Sequence, residues 1–381
     1  MTIASIRLFH LVAPLAEPIG NALVFFQQRE TVLVQVVDDS GLSGWGECWS
    51  TPLAAAATIR GQLAPVLLGQ QARETGRLWH GMVAALGHAR QTTAMTAVAG
   101  LDIALHDLAA RQQQVPLSTW LGGAWRQSVP AYASGPFFKP GGHPYRDFER
   151  DIESYLRQGF RALKLRSGFN PADDAAIALT ARRMLGAEGT LMLDFNQSYQ
   201  PRAALAAASR MAEAGLLWIE EPTVPTDLAG YRQLAAQLQP ALAGGETFAM
   251  AADFLPFLEQ GCMDVLQPDI AVCGGLTGIG KIAALAEIFG RPVVPHVWGS
   301  IVNFQAALHF AATRPPLRSG AAVPYPLMEF DAGPNPLLDM CGRPGLTAEG
   351  AVALSDAPGL GIDLTPDLFA PFLRASETIE A

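Results

Sequence analysis

The feature that most restricts how this chain can fold is a ladder of short apolar runs with charged residues at their carboxyl ends. The runs are VPAYAS (129–134), ALKLR (162–166), LMLDF (191–195), LLWIE (216–220), ALAGGE (241–246), MDVLQ (263–267), VVPH (293–296) and PLMEF (326–330). Asp194, Glu220 and Glu246 follow one another at intervals of 26 residues, and Asp269 and His296 come 23 and 27 residues further on. Glu329 closes the series. An interval of this length is one strand plus one crossover helix, and amphipathic stretches such as PADDAAIALTARRML fill the spaces. Eight such strands predict a closed parallel barrel. An open doubly wound sheet is the alternative, but no GxGxxG follows the first run.

The flanks read differently. Residues 1–50 carry β-branched segments such as TVLVQVVDD and a turn before GWGEC, whereas residues 53–121 are alanine-rich and helical. Strands followed by helices predict a separate α+β domain over residues 1–125, with the barrel over 126–340. The loop-rich residues 341–381 are expected to return to the first domain.

The carboxyl ends of parallel barrel strands meet at one face, where active sites are built. Lys164 and Arg166 are two apart on one strand and so point the same way. A single Asp or Glu after a strand commonly caps a helix. Three in phase, with a basic pair before them and Asp269 and His296 after them, are not explained by capping. Three carboxylates at one point repel each other unless a cation intervenes. A hard divalent ion with oxygen ligands resolves this, and Mg²⁺ keeps open positions for water or substrate. Such an ion and one arginine cancel the three negative charges, so the site can accept a small anion. Asn196, two residues after Asp194, is either a loop residue or a further site group.

Of the 381 residues, half are hydrophobic and 16% are charged, which suits a large buried core. A net charge of −9 opposes general nucleic-acid binding. Cys48, Cys262, Cys273 and Cys341 are scattered without a CxxC pair, and they predict a reducing, cytoplasmic compartment. The first eighteen residues lack a signal-like apolar stretch, and no apolar run reaches the roughly 18 residues of a membrane span.

The ordered segments KLR (164–166), DFNQSY (194–199), WIEEP (218–222), GGET (244–247), QPDI (267–270), PHVWGS (295–300) and MEFD (328–331) resemble the mandelate racemase subgroup of the enolase superfamily. GWGEC (44–48), the stretch 99–123 and PGLGIDL (358–364) resemble that family's capping domain, barrel start and tail. The likeness covers roughly residues 1–365. It implies a modified TIM barrel, (β/α)7β, with an α+β capping domain completed by the C-terminal tail. It implies that Asp194, Glu220 and Glu246 hold Mg²⁺, and that His296 with Asp269 forms an acid/base dyad. It further implies that Lys164 faces His296 across the substrate, and that Glu329 donates a hydrogen bond to the developing enolate, which requires a raised pKa. A homo-oligomer is usual among such proteins.

One departure bears on the reaction. The racemase pattern has a second lysine in K-x-K where this chain has Arg166, and arginine is a poor proton acceptor. A two-base racemase or epimerase is thereby disfavoured, unless Lys164 takes over the missing role. Dehydration of an aldonate or aldarate to a 2-keto-3-deoxy acid needs one base and fits better. Cycloisomerase and dipeptide-epimerase branches place a lysine on the sixth strand, which QPDIAVCGG lacks. A retired barrel that only binds metal or anion, and a metal-dependent hydrolase, are the readings outside this class. The loop 14–26 and the segment after Trp49 are expected to cover the barrel mouth, with Asn196 touching substrate and with Phe25, Phe26 and Trp49 either an apolar lid or, as aromatics at such spacing more often are, packed core residues. Phe137 and Phe138 follow the first barrel strand and share that ambiguity between lid and core.

Overall fold

The structure, a computed structural model, describes residues 1–317 and 325–380. Three antiparallel strands open the chain: β1 (Ile3–Gly20), β2 (Phe25–Asp38) and β3 (Ser43–Cys48). The helix Thr92–Gln112 packs on β3 so closely that a Cβ at Gly46 would stand 1.8 Å from the Gly100 carbonyl oxygen. Only glycine allows that backbone-on-backbone contact.

Seven strands then build the barrel: β4 (Ser128–Ser134), β5 (Ala162–Arg166), β6 (Thr190–Asp194), β7 (Trp218–Glu220), β8 (Ala241–Gly244), β9 (Val265–Leu266) and β10 (Met328–Asp331). They pair in parallel in the order β10-β4-β5-β6-β7-β8-β9. The run VVPH adds two parallel bridges beside β9, Leu266 with Val293 and Asp269 with His296. Two further strands follow: β11 (Ala351–Ala353) pairs antiparallel with β4, and β12 (Leu373–Glu380) pairs with β1 at the edge of the N-terminal sheet. The C-terminal tail thus completes the cap, and the architecture is the modified barrel with an α+β capping domain. Among the described residues no helix is long and apolar enough to cross a membrane.

Strand alternation divides the barrel residues into two sets. Leu163, Leu165, Leu191, Leu193, Ile219 and Leu242 belong to the large core shared with the surrounding helices. Tyr132, Ala162, Met192, Trp218, Ala243, Val265, Val294 and Leu327 form a separate cluster, one from each barrel position. This inner cluster plugs the barrel and shields what lies above it from water. Two residues further along each strand, on the same inward side, come Ser134, Lys164, Asp194, Glu220, Gly245, Gln267, His296 and Glu329. The polar layer is therefore a direct consequence of a period of two laid on an apolar floor.

Candidate active site

Asp194 ends β6, Glu220 ends β7, and Glu246 lies two residues beyond β8. One carboxylate oxygen from each lies within 4.8 Å of the others. Burial pushes the Glu220 carboxyl up to about 7, with Lys164 opposing and the neighbouring carboxylates adding to the rise. Glu246 is raised by burial as well, against the opposing field of His296, with Asp194 adding to the rise. Glu246 Oε2 and Asn196 Oδ1 are buried oxygens without a hydrogen-bond donor. An all-oxygen donor set, mutually repelling and partly unsatisfied, fits a hard divalent cation, and the triad is a metal site of the Mg²⁺ type. Asn196, Gln197 and Glu221 hold left-handed backbone, with φ of 44°, 63° and 39°, around this mouth. Strain of that kind in non-glycine residues collects at functional sites.

Beside the triad, His296 Nδ1 lies 2.7 Å from Asp269 Oδ2, and its Nε2 is 3.3 Å from Glu246 Oε2. With a carboxylate as partner, Nδ1 carries the proton and Nε2 faces the cavity. Burial lowers the proton affinity of His296, but Glu246, Glu329 and Asp269 outweigh it and hold the pKa up at about 10. Asp269 also accepts hydrogen bonds from Trp49 Nε1 at 3.1 Å, Asn303 Nδ2 at 3.2 Å and the Ala271 amide at 2.7 Å. Trp49 comes from the cap, so the dyad is fixed jointly by cap and barrel. Glu47, at the end of β3, ties the same region down. It accepts hydrogen bonds from Thr31 Oγ1, the Ser300 amide and hydroxyl, and the Asn303 amide, at 2.6–3.0 Å.

Lys164 and Arg166 are both buried. Lys164 Nζ lies 2.6 Å from Glu220 Oε1 and 2.7 Å from Glu329 Oε1. Burial lowers its pKa, yet these two carboxylates raise it above the ordinary lysine value. Arg166 is paired with Asp194 and donates to Ser134 Oγ at 3.2 Å. Gln267 Nε2 donates to Glu220 Oε2 at 2.6 Å and orients it. Glu329 differs from the sequence expectation of a raised pKa. Burial raises it, but Lys164, His296 and Arg166 bring it down to about 2, and the Val297 amide donates to it at 3.0 Å. An ionised Glu329 accepts rather than donates, because Lys164 lies against it and Arg166 is near.

Between these groups lies a cavity of about 90 Å³ lined by Asn21, Phe26, Trp49, Phe137, Arg166, Asn196, Glu246, His296 and Trp298. Phe25 is not among them, contrary to the expectation that it contacts substrate. Adjacent residues of a strand face opposite ways, so Phe26 points inward and Phe25 is 46% exposed. Phe137 likewise lines the cavity, whereas Phe138 packs on Tyr145 and Phe148. Cys273 is buried and packed, and all four cysteines are free thiols. Sequence reasoning passed over the contributions of Gln267, Trp298, Asn303 and Glu47. Counting two residues on from each apolar floor position would have found Gln267. The others depend on packing between distant segments.

Two sequence profiles account for most of the chain: "Mandelate racemase / muconate lactonizing enzyme, N-terminal domain" over residues 3–122, and "Enolase C-terminal domain-like" over 147–368. The chain belongs to the mandelate racemase/muconate lactonizing enzyme family of the enolase superfamily. The D-galactarolactone cycloisomerase of Agrobacterium fabrum is 36% identical over 98% of this chain and 99% of its own. The 3,6-anhydro-D-galactonate cycloisomerase structure from Zobellia galactanivorans superposes with a TM-score of 0.87 at 28% identity, over 98% of this chain and 100% of that one. The L-talarate/galactarate dehydratase of Salmonella typhimurium LT2, solved with Mg and L-lyxarohydroxamate, superposes with a TM-score of 0.88 at 26% identity, over 100% and 94%. The metal triad and this membership make the chain an enzyme of Mg²⁺-dependent α-proton abstraction on a small acid.

Proposed function

We propose that this enolase-superfamily member is an acid-sugar lyase that removes the α-proton of a sugar carboxylate and expels a β-oxygen, as in dehydration to a 2-keto-3-deoxy acid. The observation that carries this reading is the His296–Asp269 pair beside the metal triad, with an arginine, Arg166, in place of a second base on β5. Asp194, Glu220 and Glu246 hold Mg²⁺. Once bound there, the ion supplies the positive charge that makes a second negative charge on the substrate carboxylate tolerable.

The remaining work falls to the chain itself. The charge of Glu246 is the largest pull on the His296 proton; with that charge engaged by the cation the triad would hold, His296 Nε2 would be free to take the α-proton, and Asp269 keeps the imidazole in the tautomer that can do so. The carbon–oxygen bond at the β-position then breaks with its electron pair going to oxygen. The proton on His296 passes to that oxygen, and the enol left behind tautomerises to the keto acid. Lys164 and Arg166 contribute positive charge and hydrogen-bond donors to substrate oxygens, and Asn196 lies beside them at the cavity wall. Glu329 holds Lys164 in place.

Racemisation by 1,1-proton transfer needs a second base on the other face. Arg166 stands where the second base would be and stays protonated, which is why the one-base elimination is preferred. A catalytically retired barrel has no need of a complete triad, dyad and basic pair. A second reading has specific support in the relatives named as cycloisomerases: the expelled oxygen belongs to the substrate's own ring instead of leaving as water.

The test is a panel of acid sugars with Mg²⁺, scored for keto-acid formation and for exchange of the α-proton in D₂O. His296→Ala is expected to lower both by roughly 10²- to 10⁴-fold. Activity that persists in this variant removes the basis of the mechanism.

A further inference from the structure

The cavity lining is divided between charged and polar groups of the barrel mouth and a set of aromatic rings. Glu246, His296, Arg166 and Asn196 form its floor, and the rings of Phe26, Trp298 and Phe137, in contact with one another, line it beside them. Trp298 lies between the two phenylalanines, with ring centroids 5.2 Å from Phe26 and 5.9 Å from Phe137. The wall is braced from the cap by Arg29, whose guanidinium is 3.7 Å from the Trp298 ring centroid. Arg29 is buried, paired with Asp331 at 2.9 Å, and donates to the Pro334 carbonyl at 3.2 Å. Among the described residues lining the cavity, Arg166 is the only arginine or lysine, and Asp194 holds it at the floor. Asn21, the polar residue on the lid side, is occupied through its side-chain oxygen in capping its own turn.

From this we infer that the substrate is a monocarboxylate whose far end is an uncharged ring, and that Trp298, braced by Arg29, is the residue that selects it. The inference rests on the proposed α-proton chemistry at the floor, which accounts for one carboxylate. An open-chain dicarboxylate would bring its second carboxylate against three aromatic rings whose nearest lining cation, Arg166 at 5.3 Å from the Phe137 ring centroid, is already paired with Asp194, and an unpaired charge is costly to desolvate. A lactone or anhydro ring instead offers a flat C–H face for stacking and leaves its hydroxyl edges toward Asn21 and solvent.

The experiment compares a hexarate in its open-chain form with its monolactone, both titrated calorimetrically onto the Mg²⁺-loaded enzyme, with α-proton exchange followed in parallel. The lactone is expected to bind more tightly by on the order of tenfold or more. Trp298→Leu should erase most of that preference. Phe137→Arg, which adds a cation to the wall, should shift it toward the dicarboxylate. Arg29→Met should raise KM for the lactone more than it lowers kcat, with partial rescue in Arg29→Lys. Equal or tighter binding of the open-chain diacid overturns the inference while leaving the α-proton chemistry intact. Absence of α-proton exchange with every acid sugar overturns the proposed function and this inference with it.

Discussion

At the scale of single residues, chemistry-bearing positions were legible wherever one strand's period placed them, and hidden wherever two distant segments met. Asp194, Glu220, Asp269 and His296 could be read because each follows its apolar run in phase. The protonation of Glu329 could not, since it depends on Lys164 reaching it across the barrel. Glu47 is the clearest residue of the second kind. Burial pushes its carboxyl up to about 7, against the lowering effect of hydrogen bonds from Ser300, Thr31 and Asn303. The folded protein therefore holds this proton more tightly than the unfolded chain. Its contribution to stability is complete below about pH 4.5 and is lost as pH rises toward 7. Asp102, also raised to about 7 by burial, acts with the same sign. Glu47→Gln sets an amide NH₂ among hydrogen-bond donors and should cost about 2 kcal/mol in urea unfolding. It should also show a shallower loss of stability between pH 4.5 and 7 than the wild type, with the Asp102 part retained. An unchanged pH slope contradicts this assignment.

At the scale of elements, the strand ladder was visible because a barrel strand is a short apolar run, and the structure keeps seven of the eight as strands. VVPH shrinks to two bridges, since Pro292 and Pro295 remove amide donors from the ladder, and Pro268 ends β9 early in the same way. The segment 14–26, expected as a loop, is the tip of the β1–β2 hairpin, with an irregular register between Pro14 and Ile19. No local pattern announces this, because Pro14 and Pro18 read as loop residues. The tip is fastened over the cavity. Gly20 and Phe138 exchange two backbone hydrogen bonds at 2.8 and 2.9 Å, and Glu17 pairs with Arg146 at 2.8 Å. A Cβ at Gly20 would stand 2.3 Å from the Val24 carbonyl oxygen and 2.7 Å from the Phe25 ring. Gly20→Ala should therefore tilt the tip, misplace Asn21 and Phe26, and lower kcat/KM on the order of tenfold to a hundredfold. Circular dichroism and melting temperature should stay near wild type. Steady-state kinetics indistinguishable from wild type would mean that the hairpin tip does not shape the site.

At the scale of the whole molecule, the cap and the barrel are halves of one site. Trp49 steadies Asp269, Glu47 anchors the start of the helix Ile301–Ala312, Arg29 braces Trp298, and Phe26 closes the cavity. An acidic chain handles an anionic substrate here because the apolar floor concentrates a few charges where water is excluded, and a cation inverts their sum. The metal-holding triad underlies every other assignment. A crystal soaked in Mn²⁺, as an anomalously scattering stand-in for Mg²⁺, tests it directly. The expected result is one strong anomalous peak bonded to oxygens of Asp194, Glu220 and Glu246 at roughly 2.0–2.3 Å, which disappears in Glu220→Ala. No peak among these three carboxylates at saturating Mn²⁺, or a peak that survives in Glu220→Ala, contradicts the account.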